Sequence, residues 1–172
     1  DALRRLCRLE DPAVTLGPPI DAERTRNSLR VAVVDGRLSL RAEASHDVVP
    51  IADCLVAHPA IAELLAPGAI DPGTATELTV RVATDADGTV TGRLLVAAPT
   101  AAGVRAPDDV TVVGIDELAA GHRVWFRTHL AGVDFRVSAR SFLQGRGAGV
   151  EALVDVARTM LAEAPAGPFL DL

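Results

Sequence analysis

Asp35-Gly36 separates SLRVAVV (residues 28–34) from RLSLRAE (37–43), and both flanks alternate apolar with polar residues. An Asp-Gly pair accepts the left-handed backbone that a two-residue hairpin loop demands, so the spacing predicts an antiparallel pair here. Leu29, Val31 and Val33 then share one face with Leu38 and Leu40. The same logic pairs ELTVRVAT (77–84) with TVTGRLLVAA (89–98) across Asp85-Ala86-Asp87-Gly88. DVVPI (47–51), DVTVVGI (109–115), HRVWFRTHL (122–130) and VDFRVSA (133–139) read as further strands, the last two joined at Ala131-Gly132. Hairpins spaced this closely commit the chain to an antiparallel β-rich domain with short helices.

Helical spacing occurs in three places. Residues 1–10 set Leu3, Leu6 and Cys7 on one face and stop at Asp11-Pro12; PAIAELLA (59–66) opens on Pro and is closed by Pro67-Gly68. From Ala148 to Glu163, Val150, Leu153, Val154, Ala157 and Leu161 recur at helical intervals. That helix leads into GPFLDL (167–172), which reads as the opening of a buried parallel strand. The expected fold is therefore α+β. Residues 1–139 form the β-rich domain, with its N-terminal helix at 1–10. Residues 140–172 supply a helix and strand of another character, and the abrupt ends suggest a piece of a longer chain.

With 172 residues, 49% of them hydrophobic, the chain can bury a sizeable core. A net charge of −6 argues against a strongly basic nucleic-acid binder. All 17 basic residues are Arg, for which coding bias is the plainest cause, so the excess alone is weak evidence for phosphate binding. Cys7 and Cys54 form no Cys-x-x-Cys pair, and no signal peptide or long apolar run is present, so a cytoplasmic protein with reduced thiols and no membrane partner is expected.

Four stretches bear on chemistry. In RTRNSLR, Arg24, Arg26 and Arg30 fall on one face of an extended chain with Asn27 opposite, a row suited either to phosphates or to solvent. Cys54, between a strand and a helix, is a metal or cluster ligand or a small buried apolar residue. His46 lies between Ser45 and Asp47 without a nucleophile nearby, and His58, His122 and His129 share no ligand spacing. In RSFLQGRGAGVEAL, Phe142 and Gln144 point the same way if extended. Gly145, Gly147 and Gly149 relax the backbone before a helix start, where a ring and an amide suit a flipped base.

Taken together, these stretches resemble the RNA (uracil-5-)methyltransferase family. Arg26-Asn27 with Arg30 matches its Arg-Asn strip. Leu40-Arg41, Ser45-His46-Asp47-Val48-Val49-Pro50-Ile51 and Cys54 match its Phe-Arg…Ser-His-x-Val-Val-x-Ile-x-x-Cys pattern. Phe142-Leu143-Gln144, the helix after it and Phe169-Leu170-Asp171-Leu172 match its Phe-Phe-Gln segment and first catalytic strand. Thr25, Ser28 and Arg146 depart from that pattern, and Cys54 matches only the fourth of the family's cluster cysteines.

The resemblance implies the central β-rich domain and the truncated start of a Rossmann-like methyltransferase domain, acting on C5 of uridine in ribosomal or transfer RNA. By match, Gln144 would contact S-adenosylmethionine. Arg26, Asn27, Arg30, Arg41 and Phe142 would face RNA, and Cys54 would ligate a [4Fe–4S] cluster. The partner is RNA rather than DNA, and the protein a monomer. The family's catalytic cysteine and base have no counterpart in these residues, so the piece itself would be inactive. Two alternatives stay open: a non-catalytic RNA- or protein-binding module, and a class I methyltransferase with another substrate.

Overall fold

The computed structural model describes residues 4–5, 8, 10–11, 13–45, 47–164 and 167–168. Most of the expected helix at 1–10, Cys7, His46 and the strand residues 169–172 lie outside the described residues.

The fold is mixed α+β and mostly β. Among the described residues the strands are β1 (Ser28–Val34), β2 (Arg37–Arg41), β3 (Val48–Pro50), β4 (Glu77–Thr84), β5 (Val90–Ala98), β6 (Val110–Gly114), β7 (Trp125–Leu130) and β8 (Val133–Ser138). Helices that bear on the site are α1 (Pro59–Leu65), α2 (Ile115–Ala119) and α3 (Gly147–Glu163). The first six strands make one sheet in the order β3-β2-β1-β4-β5-β6, and β7 and β8 make a separate hairpin.

Local chemistry explains the hairpins. Asp35 and Gly36 both take positive φ, 51° and 71°, the pairing that lets two strands turn in two residues. The next loop is closed by Asp85, whose Oδ1 accepts from the backbone N–H of Asp87 and Thr89.

One pairing differs from expectation. β5 and β6 run parallel, from Arg93 opposite Val110 to Ala97 opposite Gly114, so the sheet is mixed rather than antiparallel. Residues 99–109 carry the chain back along the sheet instead of turning at its end. Nothing in the apolar alternation of β6 distinguishes these two directions. Helix α2, a single turn after β6, was likewise not legible in the sequence. The expected strand at 122–130 is shorter, because only 125–130 pair with β8.

Each face of the sheet carries its own core. Leu29, Val31, Leu78, Val80, Val82 and Leu95 pack with Ile61, Leu64 and Leu65 of α1 on one side. On the other, Leu94, Val96 and Val113 meet Leu118 of α2, with Val124 and Phe126 alongside. The β7–β8 hairpin docks on this second face through Thr128, which exchanges hydrogen bonds with the backbone of Thr84, and through Thr91 Oγ1 to the Arg127 carbonyl.

His58 has a structural role. Its Nδ1 accepts the Ala60 N–H at 3.2 Å and caps α1, with Pro59 at the first helical position. Burial lowers the imidazole's pKa below its ordinary value, opposed by the charge of Glu63. Only the neutral ring can accept at Nδ1. The unfolded chain therefore binds the proton more readily. Stability is full above the ordinary histidine value and falls as pH drops below about 6.5 toward the depressed folded value. Replacing His58 with Asn keeps a capping acceptor, now an amide oxygen, and is expected to flatten that part of a melting-temperature profile; Ala should cost about 1 kcal/mol at neutral pH.

Candidate nucleic-acid interface

The second face of the sheet is apolar over β5 and β6 but polar over β1 and β4. Register places Ser28 opposite Arg81, Arg30 opposite Thr79, and Ala32 opposite Glu77, all on that face. Arg41 of the neighbouring β2 falls there too, two residues beyond Ser39, which opposes Ala32. Where the polar part meets α2 and the chain leaving β8, a groove of about 340 Å³ opens. Arg30, Arg81 and Arg140 line it with Glu77, over an apolar wall of Ile115 and Leu118.

Arg81 organises the groove. Its Nη1 donates to the Ser141 carbonyl at 2.9 Å and, at 3.5 Å, to that of Ser138. The turn is reinforced by the two serines, whose hydroxyls lie 2.8 Å apart. Arg81 Nε is buried with no acceptor among the described residues, a group that a bound anion or water would satisfy. Burial pulls the guanidinium below its ordinary pKa, yet arginine remains a cation at neutral pH.

The segment held in this way presents Phe142, 81% exposed, and exposed Gln144. Phe142 is therefore not packed between the sheet and the helix among the described residues. Farther along, the Asn27 N–H donates to the Gly145 carbonyl at 2.8 Å, and Arg26 and Arg146 form an isolated antiparallel bridge. Arg146 also reaches the Asp21 carbonyl and Thr25 Oγ1. The two stretches singled out in the sequence, 24–30 and 142–146, are thus stitched edge to edge.

The expected row of three arginines is not formed. Arg24 takes positive φ, which breaks the extended alternation, and at the surface it grips both oxygens of Asp53 at 2.7 Å each. That bidentate contact, with help from the Cys54 N–H, holds the Asp53 carboxyl down at about 2. Arg30 is not free either, because its Nε lies 2.6 Å from Glu77. Arg26 remains exposed beside Gly145, where an added Cβ would stand 3.6 Å from its Nε. Arg81 and Arg140 were missed; an arginine alternating with valines in TVRVAT gives no sign that it will face a groove.

Cys54 is partly buried and packs against the α1-side core. Among the described residues no three His, Cys, Asp or Glu side chains come together to hold a metal ion. The residues present do not fit a [4Fe–4S] cluster, which requires about four thiolates. No step is assigned to one. His129 binds Asp134 through Nδ1 at 2.7 Å, on the hairpin.

The fold and groove define a β-rich α+β protein with an arginine-lined cleft on one sheet face. No protein-family model matches the sequence, and no curated protein matches it. Among the described residues, no helix is long and apolar enough to cross a membrane.

Proposed function

We propose that this chain is the RNA-holding part of an S-adenosylmethionine-dependent RNA (uracil-5-)methyltransferase, a cytoplasmic enzyme in which the groove around Arg81 grips the RNA backbone. The observation that carries the reading is the Arg81 clamp. One cation lines the anion-friendly groove and also fixes the segment that exposes Phe142 and Gln144.

In this reading Phe142 stacks on a base near the target uridine, while Arg26, Arg41 and Arg140 meet phosphates. Asn27 acts through its backbone, tying the two segments, and Arg30 exchanges Glu77 for a phosphate at some cost. Gln144 makes no side-chain hydrogen bond among the described residues, so its amide is available to the methyl donor. S-adenosylmethionine supplies the methyl group; this chain's own residues bind and orient. Helix α3 buries none of its residues and exposes Leu153, Val156 and Met160. Such a face suits a helix that packs under a Rossmann-like sheet.

The test uses the protein encoded by the whole gene beside the 172-residue chain. With labelled S-adenosylmethionine and uridine-containing RNA, the whole protein is expected to form 5-methyluridine and the 172-residue chain none. In the whole protein, Phe142→Ala and Gln144→Ala should each lower methyl transfer or cofactor binding by about 1–3 kcal/mol. At so exposed a site, Phe142→Ala should shift stability by no more than about 0.5 kcal/mol. Methyl transfer by the chain alone, or none by the whole protein, overturns the reading.

A further inference from the structure

The chain's only tryptophan, Trp125, opens β7 and is 41% exposed. The Arg136 guanidinium lies 4.3 Å from its ring centroid. Cross-strand register sets Trp125 opposite Ser138, Arg127 opposite Arg136 and His129 opposite Asp134, so an aromatic ring and two guanidiniums share one hairpin face.

Trp125 also separates two hollows. One, of about 330 Å³, shares Leu118, Ala119, Ala139 and Arg140 with the Arg81 groove and adds His122 and Arg123. The other, of about 470 Å³, runs on from Trp125 past Arg127 to His129. Adjoining hollows therefore trace one path, from Arg30 and Arg81 through Arg140 and Arg123 to Trp125 and Arg127.

Charge singles out this path. Residues 122–140 hold four arginines and one acid, Asp134, in a chain whose net charge is −6. Asp134 is engaged by His129, and Asp85, beside the larger hollow, caps its own turn. Elsewhere Arg24, Arg30, Arg93 and Arg105 are matched by carboxylates. Among the described residues, Arg123, Arg127, Arg136 and Arg140 have no acidic partner within ion-pair distance.

We propose that the β7–β8 face is a single-stranded RNA track that extends the Arg81 groove, with a base stacked at Trp125 and phosphates met by Arg123, Arg127 and Arg136. The choice of RNA rests on the function proposed above. Single-strandedness follows from the ring itself: a base inside a duplex shows its edges in the grooves and hides its face, whereas an unpaired base can stack. An acidic peptide would use the arginines but would leave the ring without a purpose.

A sole tryptophan at the site supplies its own readout. Titrating the 172-residue chain with labelled oligouridine of about twelve nucleotides should quench Trp125 emission with the same midpoint as the rise in label anisotropy. Trp125→Ala should weaken binding about five- to hundredfold, and Trp125→Phe should retain most of it. Arg127→Gln and Arg136→Gln should each reduce the slope of log affinity against log salt by about 0.7. Unchanged Trp125 emission at saturating oligonucleotide overturns the proposal; so does stronger quenching by a duplex of equal length or by oligoglutamate. If Arg81→Met weakens binding while emission stays constant, the groove stands and the track falls. If no RNA binds, both fall.

Discussion

Arg81→Met combined with Arg140→Gln is expected to weaken RNA binding about ten- to hundredfold, with only a small loss of stability. The affinity estimate follows from the loss of about 1.5–3 kcal/mol in total, the worth of one hydrogen bond to a charged group, shared between two partly solvated contacts. Arg81 acts twice. It lines the groove, and its Nη1 holds the Ser141 carbonyl one residue before Phe142. Stability is spared because methionine preserves the apolar stem and removes a buried Nε that had no acceptor. Arg105→Gln combined with Arg158→Gln is the control: it removes the same two charges from exposed sites paired with Asp71 and Asp155, outside the groove. Equal weakening in that control would show that affinity tracks overall charge and would refute the groove. Anisotropy titrations at two salt concentrations, beside thermal melts of the same samples, decide it.

Leu78→Ala should lower stability by about 2–5 kcal/mol, the usual cost of emptying a leucine-sized site in a packed core. Leu78 is fully buried on β4, and β4 is flanked by β1 and β5 in the interior of the sheet. Its side chain belongs to the cluster covered by Ile61, Leu64 and Leu65 of α1, so little can collapse into the gap. In the 172-residue chain, Leu153→Ala on the exposed face of α3 should change stability by no more than about 0.5 kcal/mol. A urea titration should show a lower midpoint for Leu78→Ala with an unchanged slope. Equal midpoints for both variants would place the core elsewhere.

The pattern of success along the chain follows the range of the forces involved. At Asp35-Gly36 the backbone preference is local and the flanking alternation has only one satisfactory register, so the β1–β2 hairpin was legible, with β2 ending two residues earlier than expected. The pairings of β4 with β5 and of β7 with β8 were legible too, although β7 begins three residues later than expected. The amphipathic period from Ala148 to Glu163 likewise marked α3 to within one residue of its observed start. The parallel β5–β6 pair was not legible, because an apolar alternation is indifferent to strand direction and residues 99–109 contain no turn signal that fixes it.

For the site, the sequence by itself determined which groups were on offer: Arg26, Asn27, Arg30, Arg41, Phe142, Gln144 and Cys54. Tertiary structure alone decided which of these groups are free. Arg24 went to Asp53, Arg30 to Glu77, and Cys54 against the core, while Arg81, Arg140 and Trp125 came to line one path. The physical reason is that a guanidinium's role is set by the nearest carboxylate or carbonyl in space. Those partners, Asp53 for Arg24 and Ser141 for Arg81, lie far along the chain and come close only once the sheet has formed.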